Sequence, residues 1–465
     1  MNINPSIFKA YDIRGIYPQD LNEDNISQIV SAIYTFYTHE LKKDPVTIVL
    51  SRDMRVSSPV LHDKTKEILV SLGAHVLDIG ICPTTTYYFS ILNRKADCGI
   101  QISASHNPKE YNGLKIVKRV GDRIVKIAQG IGMETVKEMV LAGNSLPKRR
   151  GGTVEDIQNA VEQEIAASIQ AVKPNNIKKF KIVADAANAM GAVYLEELFN
   201  KIPADLIRMN FTLDGTFPAH QADPLQFKLF KDLQQRALAE KADLGIMPDG
   251  DGDRIFFVNE KAEIIPATLI TALVTGELLR NSPGDRILVD IRYTRNVSTV
   301  VEKLGGKMSI SKVGHALITD QLNREKGIFA GESSGHYYFR DTGGAESAVR
   351  VILHVLNVMS REMKPLSEIL KQYHNSIESG ETNFKLPEGM AAQQITDEII
   401  KDHPDGKVDT LDGIAVSFPA WRFSIRSSNT EPLLRLNVEG ETQELVDGKV
   451  KELTDKIISC GAEVV

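Results

Sequence analysis

Cysteine is scarce in this chain of 465 residues, where Cys82, Cys98 and Cys460 are odd in number, far apart and free of any C-x-x-C pairing. That excludes a disulfide framework and a cysteine-built zinc site, and it suits a reducing compartment. No uninterrupted apolar run reaches the roughly 20 residues that a membrane-spanning helix needs. The start, Met1-Asn2-Ile3-Asn4-Pro5, lacks the basic and apolar segments of a secretion signal. A cytoplasmic location without a membrane partner is the expectation. A long basic run is missing too: 61 acidic and 55 basic residues are mixed along the chain and leave a net charge of −6. Nucleic acid and anionic membranes are therefore not expected partners, and any anionic ligand has to be held by local sites. What is present, 42% hydrophobic and 25% charged residues, is the composition of an ordinary globular protein too long for a single core.

Strand and helix patterns alternate from the start: strands at 47–51 and 75–79, amphipathic helices at 60–72 and 84–92. Such alternation with short connections predicts an α/β fold, a largely parallel sheet between helices, with ligands gathered at the carboxyl ends of the strands. A break at 143–152, with Pro147 and Lys148-Arg149-Arg150, marks a boundary. Further alternation follows: strands at 181–185, 205–207, 242–247, 286–290, 308–310 and 327–330, and helices near 156–171, 192–199, 227–239, 267–279, 297–304 and 316–324. From about 371 the segments are punctuated by Gly and Pro, then come strands at 412–418 and 433–438 and a helix at 445–459, the pattern of a smaller α+β domain. The expected domains are 1–150, 151–256, 257–370 and 371–465. Ala96-Asp97-Cys98-Gly99-Ile100 is echoed by Ala242-Asp243-Leu244-Gly245-Ile246, each followed by an unusual loop, which suggests an internal repeat.

The loop after the first echo is Ser103-Ala104-Ser105-His106-Asn107-Pro108. Small residues allow close backbone approach to a charged group, Asn-Pro discourages a helix, and Ser105 offers a hydroxyl beside the His106 imidazole. A Ser/His hydrolase is disfavoured, since sequence neighbours cannot easily meet base-to-nucleophile geometry and no G-x-S-x-G elbow is present. The loop after the second echo, Asp249-Gly250-Asp251-Gly252-Asp253-Arg254, sets three carboxylates at alternate positions between glycines that permit a tight curl. Only a hard cation makes such convergence tolerable, and Mg²⁺ is the natural occupant. An EF-hand is rejected because its glycine position carries Arg254 and the flanks read as strands. A third polar loop, Gly331-Glu332-Ser333-Ser334-Gly335-His336, also follows a strand.

Five motifs, K-A-Y-D-I-R-G at 9–15, S-A-S-H-N-P at 103–108, D-G-D-G-D-R at 249–254, G-E-S-S-G-H at 331–336 and R-S-S-N-T-E-P at 426–432, make nearly the whole chain resemble the α-D-phosphohexomutase family, in its phosphomannomutase/phosphoglucomutase branch. The resemblance implies three consecutive α/β domains with mixed, mostly parallel sheets, a smaller C-terminal α+β domain, and an active site in a central cleft. It implies reversible phosphoryl transfer between the 1- and 6-positions of a mannose or glucose phosphate, through a phosphoserine and a hexose 1,6-bisphosphate intermediate. Ser105 then carries the phosphoryl group and joins Asp249, Asp251 and Asp253 around Mg²⁺, with Arg254 beside the transferring group. Arg14 and Lys115 match residues near proton transfer and charge stabilisation, and Tyr11 and His106 fit the same pocket. Glu332, Ser334 and His336 resemble the sugar-hydroxyl loop, and Arg426, Ser428, Asn429 and Thr430 the loop that grips the non-reacting phosphate.

Gly314-His315 keeps the family's glycine-histidine pair, while Arg292 stands where lysine is common, and both are expected at the substrate. The partner is a small phosphosugar, and a monomer is expected. A phosphoglucosamine mutase and a metal-dependent sugar-phosphate binding protein without turnover are the alternatives.

Overall fold

A computed structural model describes residues 3–143, 146–387, 389–428 and 433–465. The chain divides into two compact units, Met1–Ile265 with Ser334–Ser367, and Pro266–Ser333 with Glu368–Val465.

The first unit contains two sheets. In one, the strands Cys98–Ile102, Thr47–Arg52, His75–Ile81 and Thr153–Asp156 lie side by side and parallel, and Tyr111–Val120 pairs antiparallel with Cys98–Ile102. Ile13–Ile16 and Arg123–Lys126 flank Tyr111–Val120, both antiparallel. Cys98–Ile102 is buried at every position, as expected of a strand covered on both faces. Ile26, Ile29, Val30 and Ile33 of the helix Glu23–Leu41 pack with Leu61 and Leu69 of the helix Ser58–Ser71 against Ile48, Leu50 and Ile100. A second cluster joins Val49 and Val117 to Tyr87, Tyr88 and Ile91 of the helix Thr84–Asn93.

The other sheet runs Ile264–Ile265, Ile255–Val258, Leu244–Pro248, Phe180–Asp185, Ala204–Met209, antiparallel through Leu244–Pro248 and parallel beyond it. The echoed segments have the same job in the two sheets. Asp97 accepts the Thr47 amide on its carboxylate at 2.8 Å and donates its own amide to the Thr47 carbonyl at 2.9 Å. Asp243 does the same with Lys181, at 2.8 Å in both directions. Each aspartate thereby sets the register of a strand that has one parallel and one antiparallel neighbour.

In the second unit, Lys307–Ser311, Arg286–Asp290 and Phe329–Gly331 form a parallel set with Arg286–Asp290 central. The C-terminal sheet is antiparallel throughout, in the order Lys407–Asp409, Ile414–Ser417, Trp421–Ser427, Leu433–Gly440, Ile377–Lys385, Glu463–Val464. Ile395 and Ile399 of the helix Ala392–Asp402 and Val446, Leu453 and Ile457 of the helix Gln443–Ser459 complete its core. The expected α/β fold with a distinct C-terminal domain is what the chain adopts.

Several elements differ from the sequence reading. The helix expected from 156 begins at Ala160, because Thr153–Asp156 is a strand that extends the first sheet. The helix expected over 227–239 is a 3₁₀ turn, Phe227–Phe230, followed by the helix Lys231–Glu240. The helices Glu23–Leu41 and Ala348–Glu362 and the strands Ile377–Lys385 and Trp421–Ser427 were not foreseen. Glu23–Leu41 is rich in β-branched and aromatic residues that weaken a helix reading, but a reciprocal cap between Asn22 and Asn25 starts it.

Buried Glu164, on the helix Ala160–Val172, accepts a hydrogen bond from Thr86 Oγ1 on the helix Thr84–Asn93. Burial pushes its carboxyl up to about 7, against the opposing pull of the Thr86 and Thr85 hydroxyls. A raised folded-state value means that its contribution is fully present below the unfolded value near 4.5 and is lost as pH rises through about 7. Glu164→Gln is expected to flatten the decline in stability between about pH 5 and about pH 8, and to be more stable than the parent at the upper end by on the order of 2–3 kcal/mol. Denaturant unfolding across that range checks this, and parallel pH curves for the two proteins would refute it.

Candidate active site

Ser105 lies just beyond the carboxyl end of Cys98–Ile102 and holds φ 51°, in the left-handed region that a serine seldom occupies. Its amide donates to Ser103 Oγ at 3.1 Å, and the Asn107 amide closes a turn onto the Ala104 carbonyl at 3.0 Å. The buried Ser105 Oγ donates to Asp249 Oδ2 at 3.0 Å and lies 3.2 Å from His106 Nδ1. A Cβ on Gly250 would stand 2.3 Å from the Ser105 carbonyl oxygen, so the two loops meet backbone to backbone and only glycine fits between them. Burial, and then the charges of Arg254 and Arg14, hold the His106 imidazole well below its ordinary value, in the neutral form.

Leu244–Pro248 delivers the aspartate loop to the same spot. Asp249, Asp251 and Asp253 are buried, with carboxylate oxygens that come within 4.8 Å of one another. The Gly252 and Arg254 amides donate to Asp249 Oδ1 at 3.0 and 3.2 Å. Lys115, on Tyr111–Val120, places Nζ 2.5 Å from Asp251 Oδ2 and 2.6 Å from Asp253 Oδ2. Thr84 Oγ1 donates to Asp251 Oδ2 at 2.6 Å. Burial, followed by the charges of Asp251 and Asp253, pushes Asp249 well up. Burial also opposes the ionised forms of Asp251 and Asp253, but Lys115 outweighs it for Asp251, and Lys115 with His336 for Asp253, so both are held low. Against burial, the same pair of carboxylates raises the Lys115 ammonium above its usual range. Asp251 Oδ1 is buried without a hydrogen-bond partner among the described residues. A free carboxylate oxygen within an all-oxygen, net-negative cluster is the donor set a hard divalent cation takes.

Around this centre, Arg14 is bound at 2.9 Å to Asp12 through Nε and reaches Asn107 Oδ1 through Nη1. Burial works against its charge, but Asp12, Asp251 and Asp253 more than restore it. Tyr11 is half-buried three residues earlier. His336 Nε2 lies 3.2 Å from Asp253 Oδ1 and 3.3 Å from Arg254 Nε, while Ser334 Oγ lies 2.9 Å from His336 Nδ1. Arg14, Ser105, His106, Lys115, the three aspartates, Arg254, Ser334 and His336 are thus assembled within the first unit, from segments far apart in sequence.

The remaining expected residues belong to the second unit. Arg292 is buried and pairs through Nε with Asp290 Oδ1 at 2.9 Å and through Nη2 with Glu332 Oε1 at 3.4 Å. Asp290 also accepts the Ser333 amide at 2.6 Å, so one carboxylate orients both Arg292 and the loop carrying Glu332. His315 opens the helix His315–Glu325. Arg426 is buried on Trp421–Ser427, with Glu381 Oε2 at 4.0 Å. Burial, then the charge of Arg292, lowers its affinity for its proton. Two guanidiniums that feel each other in a buried setting form a natural seat for an anion. Ser428 donates its amide to the Leu433 carbonyl at 2.8 Å. Asn429 and Thr430 lie outside the described residues. Sequence reasoning missed Thr84, Asp290 and Arg55, which binds the backbone of the Ser105 loop. None of them stands in a motif whose composition announces a site.

Comparison with known proteins agrees across the chain. Families described as phosphoglucomutase/phosphomannomutase alpha/beta/alpha domains I, II and III match residues 5–135, 159–262 and 268–376, and the C-terminal domain of that family matches 381–456. A phosphomannomutase of Salmonella montevideo is 35% identical over 461 residues, covering 97% of this chain and 98% of its own. One from Methanocaldococcus jannaschii is 32% identical over 462 residues, covering 98% and 99%. A solved phosphoglucomutase/phosphomannomutase family protein from Burkholderia thailandensis superposes with a TM-score of 0.88 at 27% identity, covering 100% of both chains. The phosphoglucomutase parafusin of Paramecium shares the fold, with a TM-score of 0.75 at 14% identity over 97% of this chain and 95% of that one. The acidic triad of Asp249, Asp251 and Asp253 could hold a metal ion. The chain therefore belongs to the phosphoglucomutase/phosphomannomutase family, and it is a phosphohexose mutase, an isomerase that moves phosphate on a sugar.

Proposed function

We propose that Ser105 is the phosphoryl carrier of this mutase, acting on mannose or glucose phosphates through a hexose 1,6-bisphosphate. The observation that carries the reading is the Ser105 hydroxyl, held 3.0 Å from Asp249 in a buried carboxylate cluster. A serine merely filling a turn has no need of such company. In the first half-reaction the Ser105 Oγ–P bond breaks as a bond forms between phosphorus and a sugar oxygen, and the proton of the sugar hydroxyl ends on Ser105 Oγ; in the second, the O–P bond at the other end of the sugar breaks as Ser105 Oγ takes that phosphoryl group, and the proton returns to the sugar oxygen. His106, 3.2 Å from that oxygen, is within reach to relay the proton. Asp249, Asp251 and Asp253 would hold Mg²⁺, which when bound offsets negative charge on the phosphoryl oxygens. Lys115 and Arg254 add fixed positive charge and Arg14 orients the serine loop. Tyr11, Ser334 and His336 are substrate-binding residues of the first unit, and Glu332, Arg292 and His315 are substrate-binding residues of the second. Arg426, Ser428, Asn429 and Thr430 bind the phosphate that is not reacting. On this reading the domains, expected at 1–150, 151–256, 257–370 and 371–465, follow the four sheets, so that the first runs on through the strand ending at Asp156 and the second through Ile264–Ile265. The enzyme works as a cytoplasmic monomer.

Ser105→Ala is expected to lower turnover by several orders of magnitude without loss of folding, since it removes the covalent carrier and no core contact. Intact mass should show about 80 Da of phosphate on the parent protein and none on the variant. Near-normal turnover in the variant would sink the mechanism.

Asp251→Asn is expected to raise the Mg²⁺ concentration for half-maximal activity by tenfold or more, because one of three opposing charges is lost. Activity titrated against Mg²⁺, with isothermal calorimetry of the ion alone, checks this; an unchanged affinity would count against the site.

Arg426→Ala is expected to weaken the 1-phosphate and 6-phosphate substrates alike, by about 2–4 kcal/mol, since both orientations need the same phosphate grip. Leakage of the bisphosphate should rise. Kinetics in both directions with a coupled assay for the released intermediate test the shared site, and an effect on one substrate alone would refute it.

A further inference from the structure

Arg55 stands outside every motif of the family resemblance, yet it is fully buried, with no path to a ligand. Its guanidinium lies beneath the Ser105 loop and meets four backbone carbonyls. Nη2 donates to the Ser105 oxygen at 2.8 Å and to the Asn107 oxygen at 2.6 Å. Nη1 donates to the Pro108 oxygen at 2.7 Å and the Tyr111 oxygen at 3.0 Å. The remaining edge, Nε, faces Asp53 Oδ2 at 3.2 Å. Asp53 is itself anchored, since its amide donates to the Ile102 carbonyl at 2.9 Å and Oδ1 accepts the Arg55 amide at 2.9 Å and Ser58 Oγ at 2.5 Å. The Phe217 ring covers the guanidinium, its centroid 5.2 Å from the central carbon. A Cβ on Gly215 would come within 2.6 Å of Arg55 Cα, so the covering segment rests directly on this residue.

We propose that Arg55 is the positioning residue of the nucleophile, the group that keeps Ser105 in its left-handed conformation and its hydroxyl aimed at the aspartate loop. The inference rests on the reading of Ser105 as phosphoryl carrier. A loop without regular pairing leaves carbonyls that must find donors when buried. Here one planar fork serves three of them, at Ser105, Asn107 and Pro108, together with the Tyr111 carbonyl at the start of the next strand, and any rotation of the Ser105 peptide would break a hydrogen bond to a charged donor. Lysine cannot substitute, because its three donors radiate from one point and cannot span four carbonyls in a plane. Arg55 touches neither the reacting oxygen nor the aspartates, so it acts through geometry, and misplacement of the hydroxyl should cost the chemical step rather than substrate affinity.

The test compares the parent enzyme with Arg55→Lys. Expected is a fall in kcat of about 30- to 100-fold with KM for glucose 1-phosphate within about twofold, and slower loading of Ser105 by glucose 1,6-bisphosphate followed by intact mass. A loss of stability alone would reduce the amount of folded enzyme without slowing the loading of each folded molecule. Phosphate on the parent with unchanged kcat and loading rate in Arg55→Lys overturns the inference while leaving the carrier reading intact. Failure of the parent to take up phosphate overturns the carrier reading, and this inference with it. If Arg55→Lys does not fold, the isosteric Asp53→Asn decides, since it loosens the anchor of Arg55 without removing it. A several-fold lower kcat at unchanged KM supports the proposal, and parental kcat defeats it.

Discussion

The first unit is organised around an electrostatic problem: three carboxylates converge within 4.8 Å in a place where none is solvated. At that spacing each pair of charges repels by about 3 kcal/mol even at an effective dielectric near 20. The fold answers with groups from other elements. Lys115 comes from the strand antiparallel to the one that carries the serine loop, Thr84 from a helix start, and His336 from a segment more than eighty residues downstream. These partners offset the repulsion only in part, since burial first and then its two neighbours still push Asp249 up. The residual negative potential suits a metal ion, and it lies beside the hydroxyl of Ser105, 3.0 Å from Asp249.

The serine loop solves a different problem with similar means. Its conformation is unfavourable for serine, and it persists because the surroundings over-determine it. The loop is gripped from below by Arg55, approached from the front by Gly250, and tied through Asn107 to Arg14. The strands that present the two loops are pinned by the same device, an aspartate exchanging hydrogen bonds with a neighbouring strand at Asp97 and at Asp243. A repeated scaffold therefore carries unlike loops, a serine hydroxyl on one copy and clustered carboxylates on the other.

Much of this was legible before the structure. Chemistry-bearing loops declare themselves where like charges crowd or where small polar residues interrupt an apolar run, as at 249–254 and 103–108. The alternation of strands and helices was equally readable. What escaped detection acts through the backbone or relies on tertiary contact. Arg55 and Asp290 serve main-chain groups, so their identity is dictated by a geometry that no local pattern encodes. The strand Thr153–Asp156 is exposed along its length and lacks an alternating pattern, and it exists because the edge of His75–Ile81 is open to it. The helix Glu23–Leu41 was hidden by its own core, whose β-branched and aromatic side chains suit a strand equally well.

In the second unit the division between the buried Arg292 and Arg426 follows from their neighbours. Arg292 is already balanced by Asp290 and Glu332, so its guanidinium also holds the loop before Ser334. A lysine there would satisfy one carboxylate at a time, whereas the planar fork meets both. Arg426 is different: Glu381 stands no nearer than 4.0 Å, its Nε is buried without a partner among the described residues, and Arg292 adds repulsion. An uncompensated guanidinium is costly to bury, and a phosphate relieves that cost while gaining two parallel charged hydrogen bonds. Of the two, Arg426 is thus the guanidinium with the weaker counter-charge among the described residues, and the one whose burial an anion would relieve more.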